Sequence, residues 1–366
     1  MDGMTAAAQA AYALSDAAFI YPITPASRMA ETVERWACDG RLNFFGSPVE
    51  VKEMQSEKGV AGALHGALAG GALTSTFTAS QGLMLMIPNL YKLSGELLPG
   101  VLHVTCRSLS AHALSIFGDH QDIMAIRATG LAMLASATVQ ECMDLSWVAH
   151  LSAIDGSVPF VHFFDGFRTS DAIETIETVD PEAMKPLVDW DKVRAFRQRC
   201  LEPERPQVRG TAQNSDIYFQ NREAANPYYD KLPALVQANM DKLAKVTGRQ
   251  YHLFDYAGAP DATHVIVTMA SSAQVVAQTV AQLQHEGHKV GVVAVRLYRP
   301  FSGAHLMEAL PQTVECVSAL DRTKEPGSLG EPLFEDVALA VLSSGRAIKV
   351  FGGRYGLSSK DFTPAQ

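Results

Sequence analysis

Cysteine is scarce in this chain. Five occur among 366 residues, at positions 38, 106, 142, 200 and 316, and no two are spaced as a Cys-x-x-Cys clip. The spacing and the odd count exclude a disulfide framework and a zinc or iron–sulfur site built within the chain, and they fit a reducing, cytoplasmic compartment. Positive charge is short as well. Lys and Arg number 30 against 39 Asp and Glu, a formal net charge of -9, which argues against nucleic acid as a partner. No apolar run reaches the length of a membrane span, so no membrane partner is expected. The start, Met1-Asp2-Gly3-Met4, lacks the basic residues and apolar block of a secretory signal. What remains is 47% hydrophobic and 19% charged, the composition of a globular chain with a sizeable core. Its length suffices for two or three domains.

Residues 1–180 alternate between short apolar runs and amphipathic segments. Ala18–Ile20, Leu42–Phe45, Leu73–Phe77, Val101–Thr105, Ala132–Ala137 and Pro159–Phe164 read as strands. Helical patterns lie between them, near 28–37, 51–70, 82–97, 120–129 and 140–153. This order predicts a parallel sheet covered on both faces, whose strands are continuously apolar rather than alternating. From 180 to 260 prolines recur among charged residues, with one good helix at Leu232–Val246. That stretch is either a surface insertion or an extension that wraps the first domain and reaches another.

A second α/β unit begins at Thr263. Its expected strands are His264–Met269, Val290–Val295, Val314–Leu320 and Ala347–Phe351, and its helices are Ala273–Glu286, Gly303–Leu310 and Glu331–Ser343. Ser271-Ser272 offers a hydroxyl helix start. The fold class is therefore α/β, two domains each with a mainly parallel sheet flanked by helices. Residues 1–250 form the first domain, with its extension over about 180–250, and 260–350 the second. Residues 351–366, rich in Gly, Ser and Lys, read as a linker to absent domains.

Candidate chemistry sits in loops after strands. In Tyr21-Pro-Ile-Thr-Pro-Ala-Ser27, two prolines three apart hold Thr24 in a rigid loop. Such loops form the ligand crevice of parallel α/β sheets, although the stretch also serves simply to end a strand and start a helix. Val51–Ala72 carries Glu53 and Glu57, then glycines at 59, 62, 66 and 70. Each glycine costs about 1 kcal/mol against alanine inside a helix, so a small-residue face implies tight packing or a subunit contact. Arg107 follows the strand Val101–Thr105. Ser80-Gln81-Gly82 opens a helix, so its amides could face a ligand ring. Asp119-His120-Gln121-Asp122 reads as a helix cap with an acidic first turn rather than a metal site. His103 and His162 fall inside apolar strands and read as core.

Taken together, Tyr21-Pro-Ile-Thr-Pro25, Glu53-Met-Gln-Ser-Glu57, Thr76-Phe-Thr-Ala-Ser-Gln-Gly82, Ile116-Phe-Gly-Asp-His-Gln-Asp122 and Phe163-Phe-Asp-Gly-Phe-Arg168 resemble the pyruvate:ferredoxin (flavodoxin) oxidoreductase family. The resemblance covers the whole chain but only the family's N-terminal third. It implies a thiamine diphosphate pyrimidine-binding domain followed by a transketolase C-terminal-like domain. Arg299-Pro-Phe301 and Pro326-Gly-Ser-Leu-Gly-Glu-Pro332 carry the second match.

The resemblance also implies roles for individual residues. Glu57 would hydrogen-bond N1′ of the cofactor's aminopyrimidine and favour its imino tautomer, with Glu53 as the rival. Ser80 and Gln81 would lie against the ring. Thr24 would touch the substrate, and Arg107 would hold the pyruvate carboxylate, a task suited to a guanidinium fork. The Gly-Asp-Gly motif that holds diphosphate and magnesium is absent, as is a cluster-binding cysteine run. Mg²⁺ and iron–sulfur clusters are then expected in absent domains or a partner chain.

With those parts, the implied reaction converts pyruvate and coenzyme A to acetyl-CoA and CO2. Electrons would pass to ferredoxin or flavodoxin, and a homodimer is expected. The alternatives are the pyrimidine-side chain of another thiamine-dependent 2-oxoacid oxidoreductase or transketolase-like enzyme, and a non-catalytic fragment acting only through association.

Overall fold

Twelve strands form two sheets in a computed structural model that describes all 366 residues. In chain order they are β1 (Ala17–Ile20), β2 (Glu50–Glu53), β3 (Thr74–Thr78), β4 (Val101–Cys106), β5 (Ala132–Ser136), β6 (Phe160–Asp165), β7 (Phe254–Gly258), β8 (His264–Met269), β9 (Val290–Val295), β10 (Leu297–Arg299), β11 (Cys316–Asp321) and β12 (Lys349–Arg354). The first sheet has the order β10-β5-β6-β4-β3-β1-β2 and the second β12-β11-β8-β9-β7. Only β10 and β7 run antiparallel, each at one edge. Every residue of β3, β4, β5 and β6 is buried. That is the pattern of parallel strands covered by helices on both faces.

Several elements depart from the sequence expectation, each for a physical reason. Leu42–Phe45 is a turn, not a strand. The Asn43 side chain accepts the amides of Phe45 (2.9 Å) and Ser47 (3.2 Å), the local competition that Asn offers to a ladder. Phe44 is apolar because it stacks on Trp147, ring centroids 5.8 Å apart. The edge strand is instead β2, Glu-Val-Lys-Glu, which is mostly exposed and carries no apolar signal. The helix expected from 51 therefore starts at Glu57, where Ser56 caps it by accepting the Gly59 amide at 3.2 Å. The helix Gly3–Ala13 had no counterpart in the sequence pattern. Nine of its eleven residues are buried, six of them alanine, and a helix that is buried nearly all round shows no amphipathic period.

The second unit begins earlier than Thr263, because β7 already joins its sheet. The two units also exchange chain: after β9, β10 crosses to pair with β5 of the first sheet. One continuous core of 86 buried residues consequently draws on both units. Between them, the helix Asn226–Thr247 packs on Val139–Gly156 through Asn239, whose amide reaches Ser152 Oγ at 3.1 Å. Arg249 then grips the buried Asp144 with Nε and Nη2 at 2.6 and 2.9 Å. Within the excursion, Ser215–Glu223 has no buried residue.

Residues beyond 351 also differ from a free linker. β12 runs to Arg354, and the chain then returns to the first unit. The Ser359 amide donates to the Gly118 carbonyl at 2.8 Å and the Ser358 amide to Asp119 Oδ2 at 3.0 Å.

Candidate active site

The strand order of the first sheet reverses at β1, which pairs with β2 on one side and β3 on the other. Such a switch point opens a crevice outside the carboxyl ends of the strands. Thr24, Glu57, Ser80 and Arg107 all lie in the segments that leave β1, β2, β3 and β4 at that edge.

Thr24 and Arg107, 83 residues apart in sequence, are brought together. Arg107 Nη1 donates to the Thr24 carbonyl at 2.9 Å. The arginine is 8% exposed, and its Nε is buried without a partner. Thr24 itself is exposed, ahead of a cis Thr24–Pro25 bond. The loop is seated from behind by Gly166: a Cβ there would stand 2.5 Å from the Cys106 carbonyl and 2.9 Å from the Pro25 ring. Only glycine permits that approach.

Glu57 is the first residue of the helix Glu57–Ala69 and is 7% exposed, whereas Glu53 is exposed on the edge strand. This difference favours Glu57 over its rival. Its carboxylate makes no hydrogen bond within the chain and lies beneath Gly82. A Cβ at 82 would come within 2.7 Å of Glu57 Oε1 and of Thr78 Oγ1. The absence of a side chain at 82 therefore makes room for the Glu57 carboxylate and the Thr78 hydroxyl themselves.

The expectation for Ser80 needs correction. Its amide is not open to a ligand, because it donates to Asp122 Oδ2 at 2.9 Å. Its hydroxyl donates to the Ser108 carbonyl. Ser80 has φ 51°, so the corner turns sharply and leaves the next two amides, of Gln81 and Gly82, without acceptors in the chain.

The reading of 119–122 as a helix start with an acidic first turn holds: Asp119 Oδ1 accepts the Gln121 amide at 3.0 Å and Asp122 lies in the first turn, although His120 itself makes no side-chain capping bond. Each acid in this segment has a longer-range partner. Asp119 Oδ2 accepts from the Ser108 hydroxyl at 2.8 Å. Asp122 accepts amides from Ser80, Arg107 and Ile123, at 2.9, 2.9 and 2.8 Å. Burial raises its pKa to about 7 against the opposing pull of those amides.

His120 Nε2 hydrogen-bonds Asp165 Oδ1 at 2.7 Å. Arg322 Nη1, from the second unit, stands 2.8 Å from the same oxygen. Ser271 donates both its amide (3.0 Å) and its hydroxyl to Asp165 Oδ2, so it does not cap its own helix. Burial would raise the Asp165 pKa, but the Arg322 charge and the His120 ring more than offset it and hold the carboxyl well below its usual range. Asp165 and Arg322 had no assigned role in the sequence reading, and Asp122 only that of an acid in a first helical turn. A buried charge can be flagged only once burial is known.

Two linked, mainly parallel α/β units define the fold class. It is the pyrimidine-side unit of a thiamine diphosphate-type fold joined to a transketolase C-terminal-like unit. Residues 9–241 match the family model for pyruvate flavodoxin/ferredoxin oxidoreductase, thiamine diphosphate-binding, and residues 262–366 match core domain II of pyruvate:ferredoxin oxidoreductase. The chain belongs to the pyruvate flavodoxin/ferredoxin oxidoreductase family.

It is 62% identical over 365 residues to pyruvate:ferredoxin oxidoreductase of Moorella thermoacetica, covering 100% of this chain and 31% of that protein. It is 55% identical over 365 residues to pyruvate-flavodoxin oxidoreductase of Enterobacter agglomerans, with the same coverage. The chain thus spans about a third of the length of these relatives. Among solved structures, 2-oxoglutarate:ferredoxin oxidoreductase from Magnetococcus marinus superposes with TM-score 0.68 at 17% identity, over 100% of this chain and 63% of that one. A split-gene transketolase superposes with TM-score 0.57 at 12% identity, over 100% of this chain and 91% of that one. At these identities the two structures speak for the fold alone. No helix is long and apolar enough to cross a membrane.

Proposed function

We propose that this chain supplies the pyrimidine side of the active site of a pyruvate:ferredoxin or pyruvate:flavodoxin oxidoreductase, acting as part of a larger enzyme and inactive alone. The observation that carries this reading is the buried, donor-free Glu57 carboxylate beneath Gly82, at the switch point that also holds Arg107 and Thr24. These residues fit the aminopyrimidine of thiamine diphosphate: an acceptor for a ring N–H, two free amides at Gln81 and Gly82, and a glycine that lets the Glu57 carboxylate lie against the start of the next helix. When bound, the cofactor supplies an electron sink for the carbon that loses CO2.

The residues of this chain do the rest on their side. Glu57 holds a proton at N1′ of the ring. Arg107 receives the pyruvate carboxylate on its free donors, and the Thr24 hydroxyl, exposed in its loop, contacts the substrate. The diphosphate, Mg²⁺, the iron–sulfur clusters and the coenzyme A thiol belong to the remaining domains or a partner subunit. The five free cysteines support a cytoplasmic, reducing location.

The test is direct. The complete enzyme containing this chain should form acetyl-CoA from pyruvate and coenzyme A while reducing ferredoxin or flavodoxin, and the chain alone should do neither. Failure of the complete, cofactor-loaded enzyme to consume pyruvate overturns the reading.

The same reading includes a homodimer. On the helix Glu57–Ala69, a Cβ at Gly62 or Gly66 would meet nothing within 4 Å, so these glycines serve no packing inside the chain. Gly66→Leu should therefore fold normally and still weaken assembly. Light scattering should show a species above 39.5 kDa for the unaltered chain and a shift toward monomer for the variant. A monomer in both cases counts against the dimer.

A further inference from the structure

One buried oxygen holds two of the loops that build the site. Asp122 Oδ2 accepts the Ser80 amide and the Arg107 amide, each at 2.9 Å, and thereby ties the exit of β3 to the exit of β4. The carboxylate is completely buried, and its other oxygen accepts the Ile123 amide at 2.8 Å. The five-residue helix that carries it is in turn fixed from the second unit. The His120 amide donates to the Arg322 carbonyl at 2.8 Å, and the His120 ring shares Asp165 with the Arg322 guanidinium. Arg107 has one further anchor, the bond from Nη1 to the Thr24 carbonyl. Asp122 thus fixes the Arg107 amide between its neighbours Cys106 and Ser108, and contacts from both units fix the segment that carries Asp122.

We infer that Asp122 is a positioning residue for the substrate-carboxylate site: it sets where the Arg107 guanidinium stands relative to Thr24 without touching substrate itself. This rests on the reading of Arg107 as the group that receives the pyruvate carboxylate. A carboxylate suits the task because one acceptor-only oxygen can take two amides at once. In Asp122→Asn the side chain keeps its shape. Its NH2 must then face either the Ile123 amide or the Ser80–Arg107 pair, so at least one donor is left facing another donor.

The experiment uses the complete enzyme with Asp122→Asn, Arg107→Ala and the double variant. Hydrogen exchange is read at the Ser80 and Arg107 amides, alongside the pyruvate KM and kcat. Asp122→Asn should speed exchange at both amides at least tenfold and raise the pyruvate KM about tenfold, with a smaller change in kcat. In the Arg107→Ala background it should add little further KM effect, because there is no guanidinium left to misplace.

Unchanged exchange at both amides overturns the inference whatever Arg107→Ala does. Faster exchange with additive KM effects also overturns it, since Asp122 would then be only structural. If Arg107→Ala leaves the pyruvate KM unaltered, the carboxylate role of Arg107 falls and the inference falls with it; amide exchange, which does not depend on substrate, separates this outcome from the first. Should Asp122→Asn fail to fold, Asp122→Ser, which leaves room for water on both amides, takes its place in the same cycle.

Discussion

In the complete enzyme, Glu57→Gln should slow exchange of the thiamine C2 proton with or without pyruvate, whereas Arg107→Ala should leave that exchange near normal and lower pyruvate turnover about ten- to a hundredfold. The two effects separate because the two residues serve different partners. Glu57 stands beneath Gly82 and has no donor of its own in the chain. Its charge favours a proton on the ring nitrogen opposite. Glutamine keeps the size and loses that charge, so ring tautomer control suffers before any substrate arrives. Arg107 already spends one N–H on the Thr24 carbonyl and keeps its other donors for a carboxylate. Loss of a charged hydrogen bond costs about 1.5–3 kcal/mol, which gives the stated range in turnover. Arg107→Lys should rescue poorly, since a point charge cannot both hold the Thr24 carbonyl and present a fork. Thr24→Val should cost less, because a neutral hydroxyl contributes about 0.5–1.5 kcal/mol. Quenched-exchange NMR decides the matter. If Arg107→Ala slows C2 exchange as much as Glu57→Gln does, the division of roles is wrong.

The parts of this arrangement that could be read in advance are those with local causes. β4, β6, β8 and β9 are continuous apolar runs within a residue or so of their expected limits, because strands buried on both faces leave that trace. Strand-end loops announce themselves through proline, glycine and hydroxyl residues. The edges do not: β2 is polar, β10 has three residues, and β7 lies where the chain still resembles a connection. Of the residues singled out through motifs, Arg107 and Thr24 are hydrogen-bonded to each other and Glu57 opens its helix. The misjudged positions are those whose partners are remote. Ser80 meets Asp122 across 42 residues, and Ser271 meets Asp165 across 106. Both serines look like helix starts locally, and in each case a buried carboxylate from elsewhere in the chain takes the amide.

Acid should destabilise the folded chain between pH 6.5 and pH 4, and the cause is a histidine chain in the first sheet. Ser136 Oγ donates to the Glu141 carbonyl, so it accepts from His162 Nε2 at 2.8 Å. His162 Nδ1 must then accept from His103 Nδ1 at 3.0 Å, and His103 Nε2 from His150 Nε2 at 3.1 Å. His103 and His162 each have one donor and one acceptor position assigned, and His150 donates from Nε2. A further proton on His103 or His162 would set two N–H groups face to face.

Burial pushes the His103 pKa down to about 3 and those of His150 and His162 well below their usual value. Well above pH 6.5, from about pH 8 upward, the rings are neutral in both states and contribute no pH dependence. As pH falls from 6.5 toward 3, the unfolded chain takes up three protons that the folded chain refuses, and stability is lost. Two carboxyls act in the opposite sense. Burial raises Asp122 to about 7 and Asp321 to about 6, so near pH 5 the folded chain holds two protons that the unfolded chain has released. The difference is about one proton, or about 1.4 kcal/mol per pH unit. Below pH 4 the depressed Asp165 adds to the loss, since its ion pair with Arg322 persists only while it is charged. Urea unfolding at pH 7, 6, 5 and 4, with proton uptake measured at pH 5, tests this. Without the neutral triad, the two raised carboxyls alone would make the fold more stable on acidification, so a flat or rising stability from pH 6.5 to 4.5 overturns it.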